Sequence, residues 1–255
     1  MAGKKGSVFG AQERSVALLW REAPRARRGP RPALSVERIA EAAVALADAH
    51  GLEAVSMERV AAEFGFTPMA LYRYVPGKAE LLDLMVDRGL GPPPALGAAG
   101  DPWQARLERW ARALWSAFHR RPWALEATAR LRVMGPCELS WLEAGLGTLA
   151  ATPLSPAERR SACLVLLGHV RHTAQFSVTP PRGARGLTSE QWAAATQALV
   201  QGRAERYPQL LAVLTAPPPD APGEDTLTFG IRSVLDGLAA RISGRAGQAQ
   251  RSPGR

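Results

Sequence analysis

Apolar residues recur at helical spacing along almost the whole 255-residue chain, and alternating strand-like runs are absent, so the fold class is all-α. The helix boundaries are legible from local chemistry. Ser35 precedes a stripe of Ile39, Ala43, Leu46 and Ala47, and Gly51 supplies a C-terminal stop, which predicts a helix over 36–50. Ser56 caps a second, short helix whose Met57, Val60, Ala61 and Phe64 share a face and which Gly65 ends. Thr67 followed by Pro68 is an N-cap with proline at the first helical position, and predicts a third helix from 68 to about 75. Pro76 and Gly77 then break the chain before a fourth, 78–90.

The stretch GPPPALGAAG, 91–100, cannot continue a helix and reads as a linker. Beyond it the helices become longer and more apolar. Asp101-Pro102 opens a helix with Trp103, Leu107, Trp110, Leu114 and Phe118 on one stripe, and Pro122 opens another, predicted to reach about Met134. A helix carrying Leu139, Leu142, Leu146 and Leu149 follows and ends before Pro153. Ser155-Pro156-Ala157-Glu158 is a capping box that starts a long helix to about Val178. Thr188 and Gln191 open a helix to about Arg206, and a last one covers 224–243. The expected organisation is an N-terminal arm (1–34, basic and largely disordered), a small helical domain (35–90), the linker (91–100), a larger helical domain (101–243) and a disordered tail (244–255). Within the arm, 11–20 is a candidate amphipathic helix that packs on its own domain.

The formal net charge is +9, but arginine bias throughout the chain fits a GC-rich coding genome as well as any function. What discriminates is position. Residues 1–34 hold eight basic residues against Glu13 and Glu22, about two thirds of the net charge, which points to an anionic partner. Cys137 and Cys163 are too few and too far apart for a disulfide framework or a metal motif, and read as small buried hydrophobes in a reducing cytoplasm. No apolar run approaches the ~18 residues of a membrane span, so no membrane partner is expected.

The chemistry concentrates at 56–78. A short helix, a tight Gly65-Phe66 turn and a second short helix have the dimensions of a helix-turn-helix. If Phe64, Leu71 and Val75 face the core, then Thr67, Met69, Ala70, Tyr72, Arg73 and Tyr74 face outward. Tyrosine hydroxyls reach phosphate oxygens, an arginine grips guanine O6 and N7, and Met or Ala meets thymine methyls. Lys78 sits where helix-terminal amides already attract a phosphate.

Residues 35–87, and above all VSMERVAAEFGF and ALYRYVPGKAELL, resemble the DNA-binding domain of the tetracycline-repressor (TetR) family of bacterial regulators. More loosely, 101–243 resembles the C-terminal domain of its tetracycline-binding branch. The resemblance implies a homodimer on double-stranded, near-palindromic operator DNA, released by a small-molecule inducer. It places Tyr72 and Lys78 at phosphate-anchoring positions and Pro68, Met69, Ala70, Arg73 and Tyr74 near base edges, with Ser56 and Thr67 completing the DNA-binding set. The base-facing positions carry little hydrogen-bonding capacity apart from Arg73, so thymine-methyl contacts and DNA shape are expected to carry much of the specificity. Whether the basic segment 24–32 threads the minor groove stays open.

For the ligand, Trp110, Phe118, Trp123, Met134 and Trp141 are either core alone or the walls of an apolar cavity, with His119, His169, His172 and Gln175 as orienting groups. Such walls favour a planar or multi-ring, largely apolar compound. His169 and His172 have ligand spacing but no acidic or Cys partner, so neither a metal nor a cofactor is expected. Ser161, Cys163 and His169 are not framed by any catalytic motif, and the chain does not read as an enzyme. The alternative is an architectural DNA binder without a ligand.

Overall fold

The computed structural model describes residues 12–21, 33–98, 100–178, 189–216 and 225–251, and among these the chain forms twelve α-helices and no strand. Helix α1 (Glu13–Leu19) lies in the segment expected to be a largely disordered arm, and packs on α5. Residues 1–11 and 22–32 of that basic arm, which include the segment 24–32, lie outside the described residues.

The three-helix unit follows its caps. The Ser35 hydroxyl accepts the Arg38 amide at the start of α2 (Val36–His50), which stops at Gly51 in a left-handed conformation (φ 80°). The Ser56 hydroxyl accepts the Arg59 amide and opens α3 (Met57–Ala62). Gly65 (φ 68°) then turns the chain into α4 (Pro68–Tyr72). Helix α4 stops earlier than the sequence predicts. Pro76 disfavours a helical Val75, and the Leu71 carbonyl accepts both the Tyr74 and the Val75 amides, which tightens the last turn. Helix α5 (Lys78–Leu90) crosses from this unit to the second domain.

The second domain is built around α6 (Trp103–Arg120), which packs on α8 (Pro136–Thr148) and α9 (Pro156–Val178), with α12 (Thr226–Arg251) laid along α9. The helix predicted over 122–134 is only α7 (Trp123–Ala127). Beyond it the Leu131 and Met134 carbonyls face the Gln12 amide and the Trp20 indole of the N-terminal segment rather than a helical turn, and Gly135 passes so close to α5 that a Cβ there would sit 2.2 Å from an Asp87 carboxylate oxygen. Instead of one helix to Arg206 there are α10 (Ser189–Gln201) and α11 (Pro208–Thr215), separated at Gly202. Helix α12 runs on through most of the predicted tail, where Arg245 reaches back to the Pro153 carbonyl and the Glu158 carboxylate.

Candidate DNA-reading surface and ligand cleft

The reading surface stands on buried anchors. Leu71 and Val75 are wholly buried, as are Val60 and Ala61 of α3, so α4 is clamped by one face only. Its other faces are open: Met69 is 70% exposed and Tyr72 43%, with Phe66, Thr67, Arg73 and Tyr74 also exposed and Pro68 and Ala70 half-buried. Lys78 is exposed at the first residue of α5, whose N-cap, Gly77, has no side chain to occupy the end amides. Ser56 is half-buried, and its hydroxyl is engaged in capping and in a bond that helps hold Glu58 below the usual carboxylate range, after the Glu58 backbone amide. Ser56 thus positions α3, while the free polar and aromatic tips belong to α4 and to the start of α5.

The tryptophan group is arranged differently. Trp110 is buried and its indole N–H donates to the Trp141 carbonyl at 2.7 Å. The Trp141 N–H donates to the Gly91 carbonyl at 2.9 Å and the Trp123 N–H to Asp48 Oδ1 at 2.7 Å. The last two cross from the second domain to α2 and the end of α5. Arg121 joins them, with Nε 3.2 Å from each Asp48 oxygen and Nη1 2.7 Å from the Gly89 carbonyl. Phe118 is buried with the Arg171 guanidinium over its ring, and the half-buried Met134 offers its carbonyl to the Trp20 indole at 3.2 Å. These side chains fill the core and the seam between domains.

A cleft of about 860 Å³ opens elsewhere, between α6 (Arg112, Trp115, Ser116), α9 (His172, Thr173, Phe176, Ser177) and the start of α12 (Asp225, Thr226, Leu227). Of the nine ligand residues expected from the sequence, only His172 lines it. His119 stands directly behind: its ring stacks on Trp115 with centroids 3.5 Å apart, Nδ1 donates to the Trp115 carbonyl at 2.9 Å, and Nε2 accepts from the Ser177 hydroxyl at 2.7 Å. His169 instead bonds the Leu227 carbonyl and packs on Gly230, where a Cβ would lie 2.2 Å from its ring, and Gln175 is exposed outside the cleft lining. Trp110, Phe118, Trp123, Met134 and Trp141 do not border this cleft. The sequence did hold a signal for the residue that does: Trp115 lies off the core stripe of its own helix, and it packs half-buried at the edge of the core. Arg112 is held at the rim by Glu108 (2.8 Å) and Thr228 (3.2 Å), and Asp225 caps α12 through the Thr228 amide (2.7 Å), which lowers its pKa. Among the described residues no three His, Cys, Asp or Glu side chains converge as metal ligands, and no helix is long and apolar enough to cross a membrane.

Comparison with known proteins settles what kind of molecule carries these two sites. Residues 33–85 match the family described as bacterial regulatory proteins, tetR family, and residues 94–242 match the tetracyclin repressor-like C-terminal domain. The chain is 39% identical over 97% of its length, and 94% of the relative's, to the HTH-type transcriptional repressor DrrR1 of Streptomyces coeruleorubidus. The chain belongs to the tetR family. It is therefore a DNA-binding transcriptional regulator, not an enzyme, and α3 and α4 are its helix-turn-helix. Two solved structures share the fold. Apo ActR of Streptomyces coelicolor is 21% identical, with a TM-score of 0.69 over 85% of this chain and 100% of that one, and a TetR regulator of the same organism is 25% identical, with a TM-score of 0.62 over 82% and 99%. The seam between the two matched segments is formed by Asp48, Gly89, Gly91, Arg121, Trp123 and Trp141.

Proposed function

We propose that this chain is a repressor that binds a near-palindromic operator as a homodimer in the bacterial cytoplasm and nucleoid, and is released from it by a small, planar, largely apolar molecule bound in the cleft at Trp115. The observation that carries the reading is the pairing of α4 and the turn after it, whose Met69, Tyr72, Arg73 and Tyr74 are exposed over buried anchors, with a large cleft in a separate domain. Tyr72 and Lys78 anchor phosphates, Arg73 reads a guanine, and Met69 with Ala70 meets thymine methyls. The repressor named DrrR1, similar over nearly the whole chain, supports repression rather than activation.

The dimer forms through α9 and α12. Leu164, Val165 and Phe229 are exposed on these helices, and pairing two such helices from each protomer would bury them in a four-helix bundle. That bundle sets the two copies of α4 about one DNA turn apart. In the cleft, Trp115 and Phe176 supply stacking area, while Arg112, His172, Ser177 and Asp225 provide polar edges. Release requires the ligand to favour the form with displaced reading heads. A ligand pressing on Trp115 displaces the end of α6, and the next residues, Arg121 and Trp123, pull on Asp48 and Gly89. A purely architectural binder would have no use for the cleft. Fluorescence-anisotropy titration against a duplex selected from random sequence tests the assignment. Tyr72→Ala/Lys78→Ala protein that holds this duplex as tightly as wild type refutes it.

A further inference from the structure

We propose that α1, which lies outside both matched family segments, is a brace that locks the reading head to the ligand-binding body, with Ser15 and Trp20 as its positioning residues. The hydrogen bonds from the body to α5 and its C-cap, from the Glu138 amide, Arg121 and Trp141, fall near that helix's C-terminal end, at Asp87, Gly89 and Gly91. Attachment at one end of a rod leaves it free to pivot. Helix α1 supplies the second point. Its Ser15 hydroxyl donates to the buried Asp83 carboxylate at 2.5 Å, and Arg14 Nε lies 3.0 Å from the buried Glu80. Glu80 and Asp83 lie six to nine residues before Gly89, roughly 9 to 14 Å along the helix.

The same short helix grips the body. The Trp20 indole donates to the Met134 carbonyl at 3.2 Å, and the Gln12 amide lies 3.5 Å from the Leu131 carbonyl. Arg21 pairs with Glu37 of α2, so the brace also touches the first helix of the reading head. A second observation explains why α5 needs this cover. Glu80, Asp83 and Asp87 form one buried acidic stripe along α5, and each is met by another element: the first two by α1, the third by the Glu138 amide of α8 at 3.1 Å, with the Arg132 charge of the body also attracting Asp83 and Asp87. A buried carboxylate without a partner is costly, so α5 as written presupposes α1 in its seat.

The proposal rests on the dimeric operator-binding reading for its consequence, but its test stands apart. Ser15→Asp sets a new carboxylate against Asp83 and unseats α1, while Ser15→Asp/Asp83→Asn lets the amide donate to that carboxylate and reseats it. Dyes placed at Glu63→Cys on the head and Ala150→Cys on the body, in a Cys137→Ala/Cys163→Ala background and with one labelled chain per dimer, report head-to-body distance by single-pair energy transfer. The expected result is a clearly broadened distance distribution for Ser15→Asp and a wild-type width for the double variant. Equal widths in all three proteins overturn the brace. With the selected operator, insertion of two base pairs between half-sites is expected to weaken wild type at least about tenfold and the Ser15→Asp protein less than about threefold. Equal spacing penalties overturn it as well. If wild type selects no operator at all, the proposed function fails, and the distance measurement still decides the brace. Trp20→Phe, which removes only the N–H, should give an intermediate width.

Discussion

The molecule holds two groups of aromatic side chains that look alike on paper and behave in opposite ways. On α4 and the turn after it Met69, Tyr72 and Tyr74 are exposed, so the fold gains little from their tips and their value lies in what docks on them. In the second domain Trp110, Trp123 and Trp141 are buried, and each indole N–H is bonded to a carbonyl or carboxylate, two of them across the seam. The difference teaches that an aromatic cluster identifies a site only where packing leaves it unclaimed. By that criterion Trp115, half-buried at the edge of the core and stacked on His119 where it borders the cleft, is the residue we propose for the ligand.

The comparison can be broken most forcefully from the buried side. Trp110→Ala removes a nearly fully buried indole together with the hydrogen bond it donates to the Trp141 carbonyl, and should destabilise the fold by about 3–5 kcal/mol in urea unfolding. A loss below 1 kcal/mol would place this tryptophan in a cavity wall after all. On the exposed side, Tyr72→Ala should weaken operator binding by about 1–3 kcal/mol and change unfolding stability by no more than ~0.5 kcal/mol. Arg73→Ala should in addition relax preference at one base step, which a selection experiment reads directly.

Between these extremes lies Trp115→Ala. Compounds found by tryptophan quenching to release the operator should lose about tenfold or more in affinity for this variant, whereas Trp141→Phe should bind them as wild type does. The smallest effect is electrostatic. Burial raises the pKa values of Asp83, Asp87 and Glu138 at the seam, opposed respectively by the Ser15 hydroxyl, the Glu138 and Cys137 amides, and Arg132. Groups raised in the folded state bind protons more tightly there, so their contribution to stability grows as pH falls through the window just above the ordinary carboxylate range, and is lost as pH rises through it. Glu158, held at about 2 chiefly by the Ser155 amide and hydroxyl, acts in the other direction: its contribution is present above the ordinary value and disappears as pH drops towards 2. Carboxyl NMR titration should therefore find the seam acids titrating above Glu158 and Asp225.

How much of this was legible in the sequence depends on the range of the forces involved. Ser35, Gly51, Ser56 and Pro68 act on their own backbone neighbours, so the start of each reading-head helix could be placed to within a residue. The shortening of the 122–134 helix was not legible, because in the structure the Leu131 and Met134 carbonyls face Gln12 and Trp20 and Gly135 sits against Asp87, contacts between residues far apart in the chain. Helical periodicity set Trp115 off the inner stripe, but it could not tell that the tryptophans on the inner faces fill the core and the seam rather than wall a void. For α1 the amphipathic pattern was visible, but its partners Asp83 and Met134 were not.

Two glycines carry a consequence for how such regulators diverge. A Cβ at Gly89 would lie 2.7 Å from the Trp123 ring, and one at Gly145 2.7 Å from the Trp110 ring, so each indole occupies the space a side chain would need. At either position a lone substitution meets a rigid bicyclic neighbour, and only a matched change of both partners preserves the fit. The lining at Trp115, Ser116, Thr173 and Phe176 borders open volume and accepts one-residue changes. Descendants of an ancestral protein built this way would exchange one small molecule for another by single steps, while the machinery that reports it to the genome stays locked in pairs.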